Sequence, residues 1–353
     1  MRTKMRKEYE IAVVGATGAV GETILELLDE RNFPTSNIHA VASNRSAGTR
    51  VSFGKRMLVV QDLDTFDFTA VDICLFSPGS SISKIFAPKA AAKGCIVIDN
   101  TSEFRYDDDI PLIVPEVNLD AISGYAKRNI IANPNCSTIQ MVVALKPIYD
   151  AVGIKRINVC TYQAVSGTGK DGIEALAVQT ANILNSKEIS SRIYPKQIAF
   201  NCLPQIDVFQ ENGYTKEEMK MVWETQKIMG DSAILVNPTA VRVPVFYGHS
   251  EAVHIETKEK ITADAARELL RNAAGVKVID DMIDGGYPTA VTDAANNDDC
   301  LVGRIREDIS CPNGLNLWIV SDNVRKGAAL NSVQIAEKLV ESGLQPKSAE
   351  VCH

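Results

Sequence analysis

The sequence lacks a basic stripe and a long apolar run, and these two absences exclude several classes of protein. Its 353 residues carry a net charge of −7, so a phosphate backbone would be repelled. The basic opening segment is followed only by the apolar run Ile11 to Val14, which is too short for a signal-peptide core or a membrane span. We therefore expect no nucleic-acid partner, no membrane insertion and a cytoplasmic location.

Cysteine and histidine patterns typical of metal sites are also absent. The eight cysteines are scattered without a C-x-x-C pair or histidines at zinc-site spacing, so we predict no disulfide framework and no metal site. Histidine is scarce, with four residues in the chain, so few imidazoles are available for proton transfer. No internal repeat, heptad array or low-complexity linker is found.

The length and the hydrophobic pattern predict two domains of different architecture. A chain of 353 residues exceeds the usual size of one hydrophobic core. Up to about residue 133, short apolar strands alternate with helices, which is typical of a parallel sheet covered on both faces. Beyond it, longer alternating strands and helical segments around 171–185, 215–229 and 263–273 predict an α+β domain with a more antiparallel sheet. An amphipathic helix is predicted over 328–342.

Three glycines lie between the first predicted strand and the first predicted helix. Gly15, Gly18 and Gly21 form a variant of the dinucleotide-binding fingerprint, in which small residues let backbone N–H groups approach a pyrophosphate. A merely tight turn is the alternative. The position between strand and helix favours a dinucleotide site.

The end of the second predicted strand indicates which dinucleotide is bound. NAD enzymes usually carry an Asp or Glu there, which hydrogen-bonds the ribose 2′-hydroxyl. Here the strand ends with Ser43, Asn44, Arg45 and Ser46, so no carboxylate repels a 2′-phosphate and Arg45 can bind one. The sequence therefore favours NADP, with a surface turn that happens to carry an arginine as the alternative.

One cysteine and one histidine are placed for catalysis. Cys136 stands where a strand gives way to an apolar helix, and the positive end of a helix favours thiolate over thiol. His249 is predicted in a glycine-containing turn between two strands, whereas His254 lies within the next strand. We predict Cys136 as a nucleophile and His249 as its acid/base partner; a hydrogen-bonded hairpin histidine is the alternative.

Five segments together carry a family resemblance. They are Val14 to Gly21, Asn133 to Thr138, Tyr162 to Gly167, Arg242 to Glu251 and Ser321 to Asn331. In this order, over nearly the whole chain, they resemble the aspartate-semialdehyde dehydrogenase family.

The resemblance implies a fold and a reaction. The fold is a Rossmann-type domain over 1–133, rejoined by a C-terminal helix over 326–353, and an α+β catalytic and dimerisation domain over 134–325, similar to glyceraldehyde-3-phosphate dehydrogenase. The reaction is the NADPH-dependent reductive dephosphorylation of L-aspartyl 4-phosphate to L-aspartate 4-semialdehyde through a cysteine thioester. It belongs to the biosynthesis of lysine, threonine, methionine and diaminopimelate, and a homodimer or homotetramer is implied.

The resemblance also implies site residues. Cys136 would attack the carbonyl carbon, and His249 would act as acid/base catalyst. The implied substrate contacts are Gln163 for orientation, Arg242 for the carboxylate, Glu217 for the ammonium, and Lys220, Arg105 and Asn135 for phosphate. The implied cofactor contacts are Gly15, Thr17, Gly18, Ala19, Val20, Ser43, Arg45, Ser46, Ser166, Gly167 and Asn323.

Three other functions remain open at this point. N-acetyl-γ-glutamyl-phosphate reductase shares the thioester chemistry, but the Glu217 and Arg242 motifs favour a free amino acid substrate. A short-chain dehydrogenase needs a Tyr-x-x-x-Lys pair, and none of the nine tyrosines has a lysine four positions on. A nucleotide-binding redox sensor would use Cys136 but would leave His249 and Lys220 unexplained.

Overall fold

The computed structural model describes residues 8–344, and this part of the chain folds into two compact units. One unit runs up to Pro134 and resumes at Ala328, and the other spans Asn135–Gly327. The outer ends of the predicted ranges 1–133 and 326–353, namely residues 1–7 and 345–353, lie outside the described residues.

Strands and helices alternate along the first part of the chain and become longer after it. The strands are β1 (Tyr9–Val14), β2 (Thr35–Ala42), β3 (Arg50–Phe53), β4 (Arg56–Val59), β5 (Gln61–Asp62), β6 (Ile73–Phe76), β7 (Ile96–Asp99), β8 (Ile130–Ala132), β9 (Ile154–Gln163), β10 (Leu235–Arg242), β11 (His249–Thr257), β12 (Val276–Val278), β13 (Cys300–Glu307) and β14 (Gly314–Ser321). The helices are α1 (Ala19–Glu30), α2 (Ser80–Ala92), α3 (Pro115–Asn118), α4 (Cys136–Val152), α5 (Lys170–Leu184), α6 (Lys216–Met229), α7 (Ala263–Arg271) and α8 (Leu330–Glu341).

The first unit is built on a parallel sheet with the strand order β5-β2-β1-β6-β7-β8. Alternate residues such as Ile11 and Leu75 share one apolar core with α1 and α8. Their neighbours Ala12 and Cys74, which point to the other face, are equally buried. Burial of both faces is what a parallel sheet with helices on each side requires, so the predicted Rossmann-type fold is confirmed. The hairpin of β3 and β4 was not predicted.

The strand order places a ligand crevice beside β1. The chain leaves β1 for β2 on one side and later returns to β6 on the other, and ligands of such sheets bind at the carboxyl ends of strands where the order reverses. Gly15 follows β1 with φ +87°, and a Cβ there would lie 2.7 Å from the backbone carbonyl carbon of Ser77, which follows β6. The turns after the two strands therefore meet at the crevice.

The second unit is built on a mixed sheet with the order β10-β9-β11-β14-β13-β12. The inner pairs are antiparallel and the two outer pairs, β10 with β9 and β12 with β13, are parallel. Residues of α4, α6 and α7 share an apolar core with inward residues such as Val253 and Leu317. The opposite face presents the half-buried Cys160, Tyr162 and Trp318. This unit confirms the predicted α+β architecture.

Two local predictions differ from the structure. His249 is the first residue of β11 rather than a turn residue, because the turn ends at Gly248 with φ +89°. The last helix begins at Leu330 rather than at 328, because the Asp322 carboxylate accepts the N–H groups of Val324 and Arg325 and a π-helical turn follows over 325–329. No helix within residues 8–344 is long and apolar enough to span a membrane.

The glycine turn gives a stability prediction with an internal control. A Cβ at Gly21 would lie 2.1 Å from the carbonyl oxygen of Gly15, whereas one at Gly18 would lie 3.4 Å from the same atom. Gly21→Ala should therefore lower the free energy of unfolding by roughly 1–3 kcal/mol through overpacking against backbone. Gly18→Ala should cost about 1 kcal/mol or less, the usual cost of alanine at an N-cap. Thermal melting of both variants checks this, and equal losses would contradict the packing argument.

Candidate active site

The first turn of α4 carries Cys136 and is capped by the residue before it. The side-chain oxygen of Asn135 accepts the N–H groups of Ser137 and Thr138 at 3.1 and 3.2 Å. Cys136 is half-buried and sits at the positive end of a 17-residue helix, which favours a thiolate. The sequence prediction of a helix start at Cys136 is confirmed.

Helix α6 holds the capping residue Asn135 in place. Its own start is fixed by a capping box between Thr215 and Glu218, and Glu218 also accepts the N–H of Ala240 at 2.9 Å. The helix then presents two carboxylates to Asn135. The side-chain amide of Asn135 donates to Glu217 at 2.9 Å, and the backbone N–H of Asn135 donates to Glu224 at 2.6 Å. The position of the Cys136 turn thus depends on α6.

Glu217 is a buried carboxylate with three hydrogen-bond donors. The side chains of Asn135 and Gln163 donate to one oxygen, at 2.9 and 3.0 Å, and Lys220 donates to the other at 2.9 Å. Burial alone would raise the pKa of Glu217, but the Lys220 charge and the three hydrogen bonds outweigh it and hold the pKa at about 2. Lys220 also donates to Asp207 at 3.0 Å. The pair is therefore not the exposed helical ion pair that its spacing alone would predict.

His249 is fully buried and has a defined tautomer. The N–H of Ala164 donates to its Nδ1 at 3.1 Å, while Gln163 Nε2 approaches its Nε2 at 3.4 Å. A neutral imidazole accepts at one nitrogen only, so the shorter bond makes Nδ1 the acceptor and leaves the proton on Nε2. Burial and the Arg242 charge lower the pKa of His249 to about 3, although Glu217 acts in the opposite direction. The ring is neutral at physiological pH.

Arg242 is the last residue of β10 and lies beside Ala164. Its Nη1 donates to the carbonyl of Ala164 at 2.7 Å, and within residues 8–344 no other hydrogen bond from its guanidinium is formed. A Cβ at Gly167 would lie 2.9 Å from Arg242 Nη1 and 3.5 Å from His249 Nε2. The absence of a side chain at Gly167 therefore leaves open the space beside both groups.

A second glycine lies against the nucleophile. A Cβ at Gly327 would lie 2.7 Å from the Cβ of Cys136, so any larger residue would displace the thiol. The neighbouring Lys326 is fully buried. Neither residue was singled out from the sequence, because the contact between Gly327 and Cys136 joins positions nearly two hundred residues apart in the chain.

The predicted cofactor contacts fall in both units. In the first, the N–H of Gly18 donates to Gly15 at 3.0 Å, and Thr17 lies 3.5 Å from Ser46 between side-chain oxygens. In the second, Asn323 accepts the N–H of Gly248 at 2.9 Å and pairs with Ser166. The remaining residues of this group are Ala19, Val20, Ser43, Arg45 and Gly167.

Arg45 lies in a short helical turn over Asn44–Ser46 and is exposed. A carboxylate that the local sequence did not indicate lies beside this turn. It belongs to Asp62 of β5, which accepts a hydrogen bond from Asn44 at 2.8 Å. Arg105 lies in the first unit, where it is buried and donates to the carbonyl of Asn100 at 2.8 Å. No group of three His, Cys, Asp or Glu residues able to hold a metal ion is found among the described residues.

The pKa of Glu217 gives a stability prediction. Its carboxyl has a pKa of about 2 in the folded protein and 4.5 ordinarily, so its stabilising contribution is present above pH 4.5 and is lost as the pH falls toward 2. Between pH 6 and pH 3 the wild type should lose about 2 kcal/mol more stability than Glu217→Gln. Thermal melting of both proteins across this range measures it, and parallel pH profiles would contradict the assignment.

Comparison with known proteins places both units in one group. Residues 10–125 match the semialdehyde dehydrogenase NAD binding domain, and residues 145–326 match the semialdehyde dehydrogenase dimerisation domain. An aspartate-semialdehyde dehydrogenase from Legionella pneumophila is 62% identical over 335 residues, covering 95% of this chain and 96% of the relative.

Solved structures agree with these matches. Aspartate semialdehyde dehydrogenase II from Vibrio cholerae, complexed with ASA, superposes with a TM-score of 0.94 at 57% identity, covering 96% of this chain and 99% of that one. An aspartate semialdehyde dehydrogenase from Candida albicans, solved with NADP, has a TM-score of 0.75 at 25% identity, covering 96% of this chain and 100% of that one.

Proposed function

The chain belongs to the aspartate-semialdehyde dehydrogenase family, and from this premise we propose that it reduces L-aspartyl 4-phosphate to L-aspartate 4-semialdehyde with NADPH in amino-acid biosynthesis. The observation that carries the proposal is the juxtaposition within one unit of a capped cysteine turn, an ionised carboxylate and a neutral imidazole. Asn135 and Gln163 both donate to the carboxylate, and Ala164, the residue after Gln163, donates to the imidazole. Family membership also argues against a short-chain dehydrogenase and a redox sensor.

Cys136 would begin the reaction as a thiolate. Its sulfur attacks the acyl carbon, a C–S bond forms, and the bond from carbon to the phosphate oxygen breaks with release of phosphate. NADPH, when bound, supplies the hydride that converts the thioester to the oxyanion of a thiohemiacetal. The C–S bond then breaks as the C=O bond re-forms, which releases the aldehyde and returns the thiolate.

His249 would act on the substrate oxygen through Nε2, because the Ala164 N–H occupies Nδ1. A neutral N–H donor stabilises negative charge as it develops on that oxygen. Gln163, which binds Glu217 and lies beside His249, would hold the substrate between these two groups. His249 therefore donates from a ring that is neutral before the reaction begins.

The substrate contacts follow from charge and from unused donors. Arg242 would pair with the substrate carboxylate through the part of its guanidinium that does not bind Ala164. Glu217 would bind the ammonium, since its low pKa keeps it charged. Phosphate would be held by Lys220, Arg105 and the remaining side-chain N–H of Asn135.

NADP fits the first unit on two observations. A Cβ at Gly15 or Gly21 would meet backbone atoms at 2.7 and 2.1 Å, so the chain turns tightly from β1 into α1, as a turn that brings the helix start to a pyrophosphate does. Arg45 would bind the 2′-phosphate, with Ser43 and Ser46 beside it, and Thr17, Ala19 and Val20 would line the pyrophosphate turn. From the second unit, Ser166, Gly167 and Asn323 would contact the nicotinamide end.

The face of the mixed sheet opposite α4, α6 and α7 supports a homodimer. Residues Cys160, Tyr162 and Trp318 on that face are half-buried, and the two aromatic rings are 5.6 Å apart between centroids. Apolar and aromatic surface of this kind is typical of the core of a subunit interface. We therefore assign catalysis and dimerisation to the unit over 135–327 and cofactor binding to the other unit; two such dimers would form a tetramer through other surfaces.

The test of the proposed function is the loss of the Cys136 thiol. Cys136→Ser should reduce oxidation of aspartate semialdehyde, in the presence of phosphate and NADP, by at least about a thousandfold, because the thioester cannot form. NADPH binding, measured by fluorescence, should be unchanged. Cys202→Ser, at an exposed cysteine of the same unit, is the matched control and should be fully active. Substantial turnover by Cys136→Ser would eliminate the thioester mechanism.

The assignment of the 2′-phosphate site is tested separately. Arg45→Ala should raise the KM for NADP by about tenfold or more, because a charge-assisted contact is lost, with little change in kcat or in the KM for NAD. Arg271→Ala, at an exposed position of α7, should behave as wild type. An equal rise in the KM for NADP and NAD would contradict the role of Arg45.

A further inference from the structure

Gln140 and Glu251 form a buried polar pair next to Cys136 and His249 on the same two elements. Cys136 and Gln140 are one helical turn apart on α4, a rise of about 6 Å. His249 and Glu251 are two residues apart on β11, about 7 Å along a strand, and point to the same side. Because α4 packs against β11, Gln140 and Glu251 form the next pair along the same two elements. Both are fully buried.

Gln140 connects this pair to His249. Gln140 Nε2 lies 3.5 Å from the backbone carbonyl oxygen of His249, as a long hydrogen bond. The same side chain is near enough to the Glu251 carboxyl to lower its pKa slightly against the larger effect of burial, although no hydrogen bond of ordinary geometry joins the two groups. Gln140 thus lies beside both the first and the third residue of β11 from its place one turn into α4.

The protonation state of Glu251 follows from its surroundings. Neither of its carboxyl oxygens accepts a hydrogen bond from any described residue, and the amide oxygen of Gln140 also lacks a donor. An ionised carboxylate buried in this way would carry a large desolvation penalty. A proton on Glu251 removes that penalty and would let the carboxyl donate to the unpartnered amide oxygen of Gln140. Burial correspondingly raises the pKa of Glu251 well above its usual range.

We propose that Glu251 is a protonated positioning residue that, through Gln140, fixes the start of β11 against the start of α4 and so sets the placement of His249 relative to Cys136. This proposal rests on the proposed function of those two residues. A neutral pair also suits the site electrostatically. An ionised Glu251 two residues from His249 would stabilise an imidazolium, whereas the neutral acid leaves the imidazole uncharged.

Matched substitutions at Glu251 separate hydrogen bonding from charge. Glu251→Gln keeps the shape and a neutral donor, so kcat should stay within about twofold of wild type. Glu251→Leu removes the contact to Gln140, so kcat should fall by about ten- to a hundredfold, as expected for a misplaced catalytic group, with KM for both substrates nearly unchanged. Thr257→Val, at a buried hydroxyl near the far end of β11, is the control and should affect stability alone.

Two kinetic results would overturn the proposal. If Glu251→Leu melted at a lower temperature but kept normal kcat per folded molecule, the pair would be structural only. If Glu251→Gln lost as much kcat as Glu251→Leu, an ionisable carboxylate rather than a neutral donor would be required.

Infrared spectroscopy tests the protonation directly and needs no activity. The difference spectrum of wild type minus Glu251→Gln at neutral pH should contain the carbonyl stretch of a protonated carboxylic acid. Carboxylate bands in its place would contradict the proposal, even if Glu251→Leu failed to fold. Failure of the thioester mechanism would instead appear as retained turnover in Cys136→Ser, whatever the result at Glu251.

Discussion

The side chain of Asn135 fixes the first turn of α4, and the geometry of the whole site depends on that one residue. Its oxygen accepts two N–H groups of the helix, and its amide donates to Glu217. Its backbone N–H donates to Glu224, so α6 holds it at two points. Because Cys136 is the next residue, the position of the thiol is determined by the packing of α6 against α4. A helix cap is therefore also the link between the nucleophile and the carboxylate that Gln163 shares.

Two buried groups near this cap, Glu217 and His249, differ in charge. Glu217 stays ionised because Lys220 and two amide side chains compensate for its removal from water. His249 is neutral because burial and Arg242 oppose a positive charge on it. The site thus presents a permanent negative charge for an ammonium and an uncharged N–H donor for a developing oxyanion, and neither group needs to change its protonation state for a substrate to bind at neutral pH.

Local patterns in the sequence predicted the parallel sheet, the glycine turn and the helix start at Cys136. The spacing of apolar residues and the signals for a helix start each depend on a few residues that are close together in the chain. Local patterns also indicated His249, since few histidines were available, although its place at the start of β11 rather than in a turn depends on pairing with Ser321 and other distant residues. Gln140, Glu224, Gly327 and the turn at Ser77 could not be found in this way. Their importance lies in contacts between segments far apart in the chain. The ionisation of Glu217 was likewise not predictable, because a Glu and a Lys three apart on a helix most often form an exposed pair.

The proposed reaction depends on a thioester at Cys136, and without phosphate the acyl group of the substrate should stay bound to that cysteine. Intact-protein mass spectrometry after mixing the enzyme with aspartate semialdehyde and NADP, without phosphate, tests this most directly. We expect one added aspartyl group per chain, mapped by peptide digestion to Cys136 and removed when phosphate is supplied. An unmodified protein that nevertheless produces NADPH, or an adduct on another residue, would contradict it.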